Sequence, residues 1–497
     1  MDTQAKTNRP LVLTAIILAM FMSAIEATIV ATAMPSIVGE LGGFALFSWV
    51  FSIFLLMQAV TIPIYGKLAD LFGRKPVFVV GVIVFLFGSL LCGLAHSMSM
   101  LILFRLIQGL GAGSVQPIVT TIVGDIYSVQ ERAKVQGYLS SVWGISSVAG
   151  PAVGGVMVQY ISWSWVFWLN IPLGILAIVG IVRYLHEDIT KKQHKIDYLG
   201  ACLLLTATGL LMVAMIEGGV GWPWLSMPSL LLMLTFALTL YMFIRQELRA
   251  EEPIVPLRIW RNRLIAVANA ASLTTGIVMI GISTFLPTFV QGVMEKSPTI
   301  AGLTLGMMSI GWPLASTLAG KLLLSAGVRK TALLGGIILV IGSVFFVTLQ
   351  PAKGPVWAGV GAFFIGAGLG LATTTFIVAI QSSVEWSVRG TATASNMFMR
   401  ILGNTLGASL LGGILNSGMG SYLKGLSSGS KAPLSIDFTD VLLDPAKRAA
   451  LPASLVNVLQ RGLTSSLHYV YWGVAVFAVL SLGIIFLLPK ESLKEMS

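Results

Sequence analysis

The sequence contains few charged residues. Asp, Glu, Lys and Arg together make up 10% of its 497 residues, whereas roughly a quarter of the residues in a soluble domain are charged. Hydrophobic residues make up 56% of the chain, and the mean hydropathy is +0.89. A soluble core cannot bury so much apolar surface, so this composition excludes an ordinary soluble domain and indicates a protein of the lipid bilayer.

Cysteine and histidine are also scarce. The two cysteines, Cys92 and Cys202, lie in separate apolar runs, which excludes a disulfide framework and a thiolate metal site. The four histidines are scattered near the ends of such runs. The chain has no Walker loop, no His-Glu-x-x-His motif and no Ser, His and Asp arrangement on a soluble domain. We therefore expect neither an enzyme nor a bound cofactor or metal.

The chain is rich in apolar runs long enough to cross a bilayer, which takes about 20 residues. The first run is too long for the core of a signal peptide and has no cleavage site of small residues, so we expect it to remain as a span. Fourteen spans are predicted, at approximately residues 10–36, 46–66, 77–96, 98–124, 135–159, 163–185, 197–217, 224–246, 264–290, 298–324, 331–349, 355–380, 390–417 and 465–488.

Basic residues are distributed unequally between the two sides of these spans. With fourteen spans both termini share one side, and 22 of the 31 Lys and Arg residues fall on it. Seven lie on the other side, and Arg105 and Arg400 lie within spans. The positive-inside rule therefore predicts that both termini are cytoplasmic. This asymmetry accounts for the net charge of +11, so we expect no nucleic-acid partner.

Glycine motifs recur between the two halves of the chain. The recurring pairs begin at Gly66 and Gly320, Gly109 and Gly366, and Gly154 and Gly412, with offsets of 254, 257 and 258 residues. Nearly equal offsets favour two homologous six-helix bundles, a known plan for transporters. We expect the bundles at residues 1–186 and 251–497, with two inserted spans in residues 187–250.

A polar segment of about residues 419–460 separates the last two predicted spans, on the outer side. Asp444-Pro445 is typical of a helix start, so a short surface helix is predicted there. The segment is either a lid over the outer mouth or a tolerated surface insertion.

Glu26 and Arg105 are ionisable residues inside predicted spans. At 1.5 Å per residue Glu26 lies ~13 Å below the outer end of span 1, and Arg105 lies ~10 Å below the outer start of span 4. The two can therefore lie at one depth. An apolar site favours the neutral carboxyl, whereas a guanidinium or a cationic ligand favours the carboxylate. Glu26 is thus a candidate switch that binds either a proton or a cation; the alternative is a fixed ion pair between spans 1 and 4.

A charged turn joins spans 2 and 3, where glycines permit close helix approach. Its residues are Gly66, Asp70, Gly73, Arg74 and Lys75. Asp125 ends span 4 on the same face. We expect an ion pair between Arg74 and Asp125 that forms in one conformation and breaks in another. The alternative is a solvated surface cluster, because exposed pairs contribute little.

Span 5 has a face of small residues, together with a proline. These residues are Gly144, Gly150, Pro151, Gly154 and Gly155. Small residues let another helix pack closely, and proline removes a helical hydrogen bond and permits bending. The pattern predicts a hinge, although static packing would explain the glycines equally well.

Five further residues are candidates for lining a substrate cavity. They are Gln58, Gln116, Trp143, Asn396 and Arg400. The alternative for each is ordinary helix packing, and Arg400 could instead extend toward the bilayer surface.

Several of these motifs resemble those of the drug:proton antiporters with fourteen spans in the major facilitator superfamily. The segments are Ala24–Pro35, Gly66–Lys75, Leu101–Gly109, Gly144–Gly155, Trp163–Gly174 and Asp197–Gly200. The resemblance implies an all-α membrane protein with two six-helix bundles plus two inserted helices, alternating access and use of the proton-motive force. It also implies that the turn after span 2 is a conformational latch, that Arg105 takes part in proton relay and that span 5 is the antiporter hinge.

Two positions depart from the family pattern. Glu26 stands where the family usually has aspartate, which keeps the charge and lengthens the side chain. Span 13 offers Asn396 and Arg400 where relatives that export dications have extra carboxylates. We therefore expect no preference for divalent cations.

Together these observations predict a monomeric, proton-coupled exporter of amphipathic, monocationic drugs and dyes in a bacterial plasma (inner) membrane. Glu26 would carry the proton and Arg105 would tune its affinity. One alternative is an exporter of lipids or lipid-like amphiphiles, whose anionic heads would be drawn to Arg105 and Arg400. A second alternative is a membrane sensor that keeps the fold and transports nothing.

Overall fold

The computed structural model describes residues 7–127, 129–187, 197–217, 222–223, 225–251, 253, 257–384, 389–427 and 442–489. Within these ranges the chain forms sixteen α-helices. They are α1 (Arg9–Leu41), α2 (Phe47–Phe72), α3 (Arg74–Gly93), α4 (Met98–Ile126), α5 (Val129–Tyr160), α6 (Ser164–Trp168), α7 (Asn170–Tyr184), α8 (Tyr198–Glu217), α9 (Met227–Arg249), α10 (Arg263–Thr288), α11 (Pro298–Ala326), α12 (Val328–Val347), α13 (Gly354–Ser382), α14 (Arg389–Ser427), α15 (Pro445–Ala449) and α16 (Ala453–Ile485).

Each predicted span corresponds to a helix of this set. Thirteen segments of the described residues are long and apolar enough to cross a membrane. The predicted tenth span corresponds to α11, which has 29 residues and is not one of these thirteen segments. The predicted sixth span is divided into α6 and α7 at Leu169.

Sequence signals at the helix ends explain several of these boundaries. Ser97 and Ser297 precede α4 and α11, and each side chain accepts a hydrogen bond from a backbone N–H in the first turn. Gly73 between α2 and α3 has φ of 94°, and Gly327 between α11 and α12 has φ of 81°. Both values favour glycine. The two tight turns occupy equivalent places in the two halves, in agreement with the predicted repeat.

The helices form two bundles and an inserted pair. In the first bundle α1 packs against α5 and α7, and α4 packs against α2 and α3. In the second, α13 packs against α11 and α12, and α10 packs against α14 and α16. The inserted helices α8 and α9 pack against each other, and α8 also contacts α2 and α14. The fold is therefore the predicted one, whereas the exact bundle boundaries stay predictions.

The two bundles are packed together on one side. We call the side that carries the start of α1 and the end of α16 the terminal face, and the other the opposite face. Hydrogen bonds join the bundles in the opposite half, from Gln291 Nε2 to Thr32 O (3.1 Å) and from Thr299 Oγ1 to Gln159 Oε1 (2.5 Å). The rings of Phe47 and Phe285 stack there with centroids 5.7 Å apart.

The predicted outer loop of residues 419–460 is shorter than expected. Helix α14 continues to Ser427 and α16 begins at Ala453. Both helices therefore extend beyond the apolar runs that were used to predict the spans. The predicted surface helix is α15. Residues 428–441 of this loop lie outside the described part of the chain.

The described part of this loop covers the closed opposite face. Leu442 and Leu443 are buried, the Lys447 ammonium donates a hydrogen bond to Gly39 O at the end of α1, and Arg448 Nη1 lies 3.5 Å from Gln291 O. The loop thus contacts both bundles where they meet, which is more than a free surface insertion would do.

Candidate functional site

A carboxylate in the middle of α1 is bound by two other helices. The side chain of Glu26 is fully buried. Arg105 Nη1, from α4, donates a hydrogen bond to Glu26 Oε1. Asn170 Nδ2, at the first residue of α7, donates to Glu26 Oε2 at 2.6 Å. Both carboxylate oxygens therefore have a donor, and one of the donors carries a full positive charge.

The guanidinium of Arg105 is held on several sides. Its Nη1 also donates to Gln108 Oε1 at 2.6 Å, and its Nε donates to Val50 O of α2 at 3.2 Å. The ring centroid of Phe54 lies 3.9 Å from Arg105 Cζ, which adds a cation–π contact. These contacts place the positive charge at the junction of α1, α2 and α4.

Gln108 extends the network to α3. Its Nε2 donates to Ser89 Oγ at 2.8 Å. The helices come close here because residue 88 is glycine; a Cβ at Gly88 would lie 2.5 Å from the backbone nitrogen of Gln108. We call Glu26, Ser89, Arg105, Gln108 and Asn170 the buried polar network.

The network is closed to solvent in this conformation, with the Arg105 side chain 2% exposed. The contact between Glu26 and Arg105 is thus formed, as the ion-pair alternative required. A buried charge pair with its hydrogen bonds satisfied can persist in an apolar interior, whereas an unpaired charge there is costly. Solvent can therefore reach Glu26 only if the network opens.

Sequence reasoning missed three members of the network as site residues, Ser89, Gln108 and Asn170. Gln108 and Asn170 lie within the motifs that carry the family resemblance. Each places a polar amide inside an apolar run, where an amide without a hydrogen-bond partner is costly. This pattern could have indicated that both side chains have buried polar partners.

The charged turn between α2 and α3 lies on the terminal face. Arg74 Nε lies 2.9 Å from Asp125 Oδ2 at the end of α4, so the expected ion pair is present in this conformation. Gly66 has open space around it and Gly73 forms the turn. The side chain of Asp70 lies outside the described part of the chain. Whether the pair breaks during transport stays a prediction.

Glu187 contacts this turn and was missed by sequence reasoning. Its Oε1 accepts a hydrogen bond from Arg74 N at 2.7 Å, and its Oε2 accepts one from Lys75 N at 3.0 Å. Lys75 Nζ in turn donates to Leu185 O at 3.1 Å. The carboxylate therefore caps the start of α3 and ties it to the segment after α7.

The glycines of α5 lie against two helices. A Cβ at Gly150 would lie 3.1 Å from Thr28 Cβ of α1, and one at Gly154 would lie 3.0 Å from Ile29 O. A Cβ at Gly155 would lie 2.7 Å from Pro298 O of α11, in the other bundle. This stripe is therefore part of the interface between the bundles.

Gly144 and Pro151 lie at the same interface. A Cβ at Gly144 would have more room, at 3.7 Å from Pro313 Cγ. The carbonyl of Pro151 lies against Gly302 of α11. The role of α5 as a hinge stays a prediction.

The five predicted cavity residues do not all lie in one place. Gln58, Gln116, Trp143 and Arg400 are partly exposed. Asn396 is instead buried, and its Nδ2 donates to Asn269 Oδ1 at 3.1 Å and to Ser272 Oγ at 2.8 Å. Because these partners lie on α10, Asn396 joins two helices of the second bundle and does not line a cavity.

A family model described as the Major Facilitator Superfamily matches residues 16–408. The chain belongs to the major facilitator superfamily. It is therefore a multi-pass membrane transporter and not an enzyme, as the sequence predicted.

Curated relatives in this superfamily include two proteins of Bacillus subtilis (strain 168). Multidrug resistance protein 3 is 35% identical, with 99% of this chain and 97% of the relative covered. Multidrug transporter protein MdtP is 34% identical, with 98% and 94% covered. These names agree with the predicted multidrug type within the superfamily.

Solved structures share the fold at low sequence identity. A bacterial homologue of the human lysosomal transporter Spinster, in an inward-facing and unoccupied conformation, matches with a TM-score of 0.70 at 17% identity over 97% of this chain and 96% of that one. A D-xylose-proton symporter matches with a TM-score of 0.62 at 12% identity, with 97% and 98% covered. The major facilitator fold is thus shown by structure as well as by sequence.

Proposed function

We propose that this protein is a proton-coupled exporter of amphipathic, cationic drugs and dyes. The observation that carries the proposal is the buried polar network, in which a carboxylate at mid-span is held between a guanidinium and an amide. An intramembrane carboxylate is rare and usually functional. The two Bacillus subtilis relatives are named as multidrug proteins, which supports drugs as substrates.

The network provides a physical route for coupling. While Glu26 is ionised, it is paired with Arg105 and the first bundle is closed around it. Protonation would remove the charge of Glu26, so its attraction for the guanidinium would fall. Arg105 would still have Gln108 Oε1 and Val50 O as acceptors. A substrate cation would compete with the proton for the same carboxylate, which is the exchange that antiport requires.

In the proposed transport cycle the terminal face and the opposite face close alternately. We take the terminal face as cytoplasmic because of its excess of Lys and Arg. The packed opposite face, with Gln159 bonded to Thr299, then makes this conformation inward-facing. Export would require that these contacts break while the terminal half closes.

The energetics suit a pH gradient. The membrane potential contributes about 2.3 kcal/mol per elementary charge per 100 mV. Exchange of one proton for one monovalent cation moves no net charge, so such a cycle would be driven by the pH difference alone.

Proteoliposomes with an imposed pH gradient test the proposal, with a fluorescent monocationic dye as substrate. We expect the wild type to transport the dye against its gradient and Glu26→Gln to lose this pH-driven transport. Glu40→Gln is the matched control, because Glu40 lies near the end of the same helix and its Oε2 accepts from Trp163 Nε1 at 2.9 Å. Equal transport by the wild type and Glu26→Gln would refute the role of Glu26.

A further inference from the structure

Arg400 is an intramembrane charge on α14, in the second bundle. The sequence of α10 to α14 and of α16 contains no Asp or Glu within the helices. Among the residues that the structure describes, no group pairs with the guanidinium of Arg400. This is the reverse of Arg105, whose charge is matched by Glu26.

Helix geometry shows where Arg400 faces. On α14, the side of Asn396 and Gly403 contacts α10, whereas Ser409 and Gly412 contact α2 of the other bundle. At 3.6 residues per turn, Arg400 lies about 40° from Asn396, at the edge of the α10 side that turns toward α2, and its backbone oxygen lies against Gly276 of α10. The partly exposed residues of the same sector are Thr393, Met397, Arg400 and Asn404. This sector therefore lines the space between the bundles.

The register between α14 and α2 gives its depth. Ser409 Oγ donates to Ser52 Oγ at 3.0 Å, and Asn416 Nδ2 donates to Ala45 O at 2.7 Å. Since the helices run in opposite directions, Arg400 lies near the level of Thr61. Arg105 binds Val50 O, 11 residues away on α2, which corresponds to ~16 Å at 1.5 Å per residue. Arg400 is thus nearer the terminal face, away from the closed half.

Other polar groups lie close to this level. Gln58 is one turn from Thr61 on α2. A Cβ at Gly113 of α4 would lie 2.9 Å from Gln58 O, so Gln116 follows within one turn. Asn404, one turn after Arg400, has its buried Oδ1 next to Gly276 of α10, because a Cβ there would lie 3.1 Å from it. An arginine inside a membrane protein almost always faces the bundle interior or a water-filled cavity, and such residues mark substrate pathways.

We propose that Arg400 binds an anionic group, a carboxylate or a phosphate, of an amphiphilic substrate. The guanidinium can donate two parallel hydrogen bonds to such a group. The apolar part of the substrate would lie along the residues between the bundles. The substrate class then includes zwitterions as well as simple cations. This inference rests on the proposed function in placing the transport cavity between the bundles.

A pair of dyes that differ at one group provides the test. The ethyl ester of a rhodamine is a monocation, and the same rhodamine with its ester hydrolysed is a zwitterion with a free carboxylate. Binding of each dye to the protein in nanodiscs is measured by fluorescence anisotropy without any proton gradient. We expect Arg400→Gln to weaken binding of the carboxylate dye by about tenfold or more, and that of the ester by less than about twofold.

Two further variants make the result specific. Arg400→Lys keeps the charge but not the two parallel donors, so it should retain part of the affinity for the carboxylate dye. Arg329→Gln is the charge control, because Arg329 lies at the start of α12 and its Nη2 donates to Phe486 O at 2.8 Å; it should change neither affinity. Equal loss for both dyes in Arg400→Gln would assign Arg400 a structural role, and no loss for either would show that no anion binds there. Both results would overturn the proposal.

The lipid composition of the nanodisc distinguishes the source of the anion. If phosphatidylglycerol, compared with phosphatidylcholine, weakens binding of the carboxylate dye to the wild type but not to Arg400→Gln, the site accepts a lipid phosphate. If the two lipids give the same affinity for the carboxylate dye, the site is specific for a free carboxylate. Both results are read only after Arg400→Gln has lost affinity for the carboxylate dye alone, and they distinguish the source of the anion. Because binding needs no gradient, a failure of proton coupling in Glu26→Gln leaves this test unaffected.

Discussion

Glu26 and Arg105 each supply the counter-charge that the other needs in the apolar interior. Removing one partner of a buried ion pair typically costs about 3–5 kcal/mol, because the remaining charge stays buried. Substitutions at either residue therefore change stability as well as chemistry. The neutral members of the network offer a cleaner test of how it is held together.

Gln108→Leu should destabilise the protein. Its amide oxygen accepts from Arg105 and its amide nitrogen donates to Ser89, and leaving such buried groups unpaired costs about 1–3 kcal/mol. We expect a lower melting temperature in detergent. Gln116→Leu is the control on the same helix, since Gln116 is partly exposed, and its melting temperature should stay close to that of the wild type. Equal melting temperatures for the two variants would contradict the assigned role of Gln108.

The sequence predicts part of the site at the level of residues. Glu26 and Arg105 could be placed at one depth because depth depends on helix rise alone. The contact of Asn170 with Glu26 depends on how α7 is rotated against α1, which one sequence does not determine. Asn396 was wrongly expected in the cavity for the same reason: its partners on α10 are known only once α10 and α14 are paired.

At the level of elements, Glu187 links two segments that are far apart in the sequence. Its carboxylate accepts from the first two backbone N–H groups of α3. Those groups have no partner within the helix, and the helix dipole favours a negative charge beside them. The start of α3, and with it the charged turn, is therefore held by the segment that follows α7.

Glu187→Ala should loosen the start of α3. A lost cap of this kind costs about 1 kcal/mol, so the amides of Arg74 and Lys75 should exchange with deuterium several times faster. Asp125→Asn is the matched control, because it changes the partner of the Arg74 side chain and leaves the amide acceptor in place. The assignment fails if Glu187→Ala leaves exchange in this turn unchanged, or if the control accelerates it equally.

Helix number and order were predictable from the sequence, whereas some helix ends were not. Apolar runs of about 20 residues identify spans because bilayer thickness fixes their length. The extra turns of α14 and α16 lie outside the predicted apolar runs, where hydropathy does not distinguish helix from loop. The division between α6 and α7 falls inside a continuous apolar run, so it gives no signal in hydropathy.

For the whole molecule, the closed opposite face depends on close approach of α5 and α11. A Cβ at Gly302 would lie 2.7 Å from the carbonyl carbon of Pro151, and one at Gly155 would lie 2.7 Å from Pro298 O. Real Cβ atoms essentially never come so close to backbone atoms. These two glycines therefore let the bundles pack in the observed conformation.

Gly302→Ala should shift the molecule away from this conformation. Gln159→Cys and Thr299→Cys, in a background with Cys92→Ser and Cys202→Ser, report closure through a short thiol cross-linker, because the two native side chains are hydrogen-bonded. We expect the yield of the cross-linked protein to fall several-fold in Gly302→Ala. Gly306→Ala, with no atom within 4 Å of the added Cβ, should keep the original yield. An unchanged yield in Gly302→Ala would show that this contact does not control closure.

The repeated architecture was visible in the sequence, but the conformation was not. The turns at Gly73 and Gly327 are 254 residues apart, which is the offset of the repeated motifs that begin at Gly66 and Gly320. Which face is closed depends on small free-energy differences between two packings of the same helices. Hydropathy and motif spacing are the same whichever face is closed, so they do not predict the conformation.

Proton release on substrate binding is the most direct test of the central claim, that Glu26 exchanges a proton for substrate. A monocationic dye is added to the protein in nanodiscs in weakly buffered solution, and the pH change is followed with an indicator. The account predicts proton release by the wild type and by Glu40→Gln, and none by Glu26→Gln when it still binds the dye. Undiminished proton release by Glu26→Gln, or dye binding by the wild type without any release at every pH tested, would contradict it.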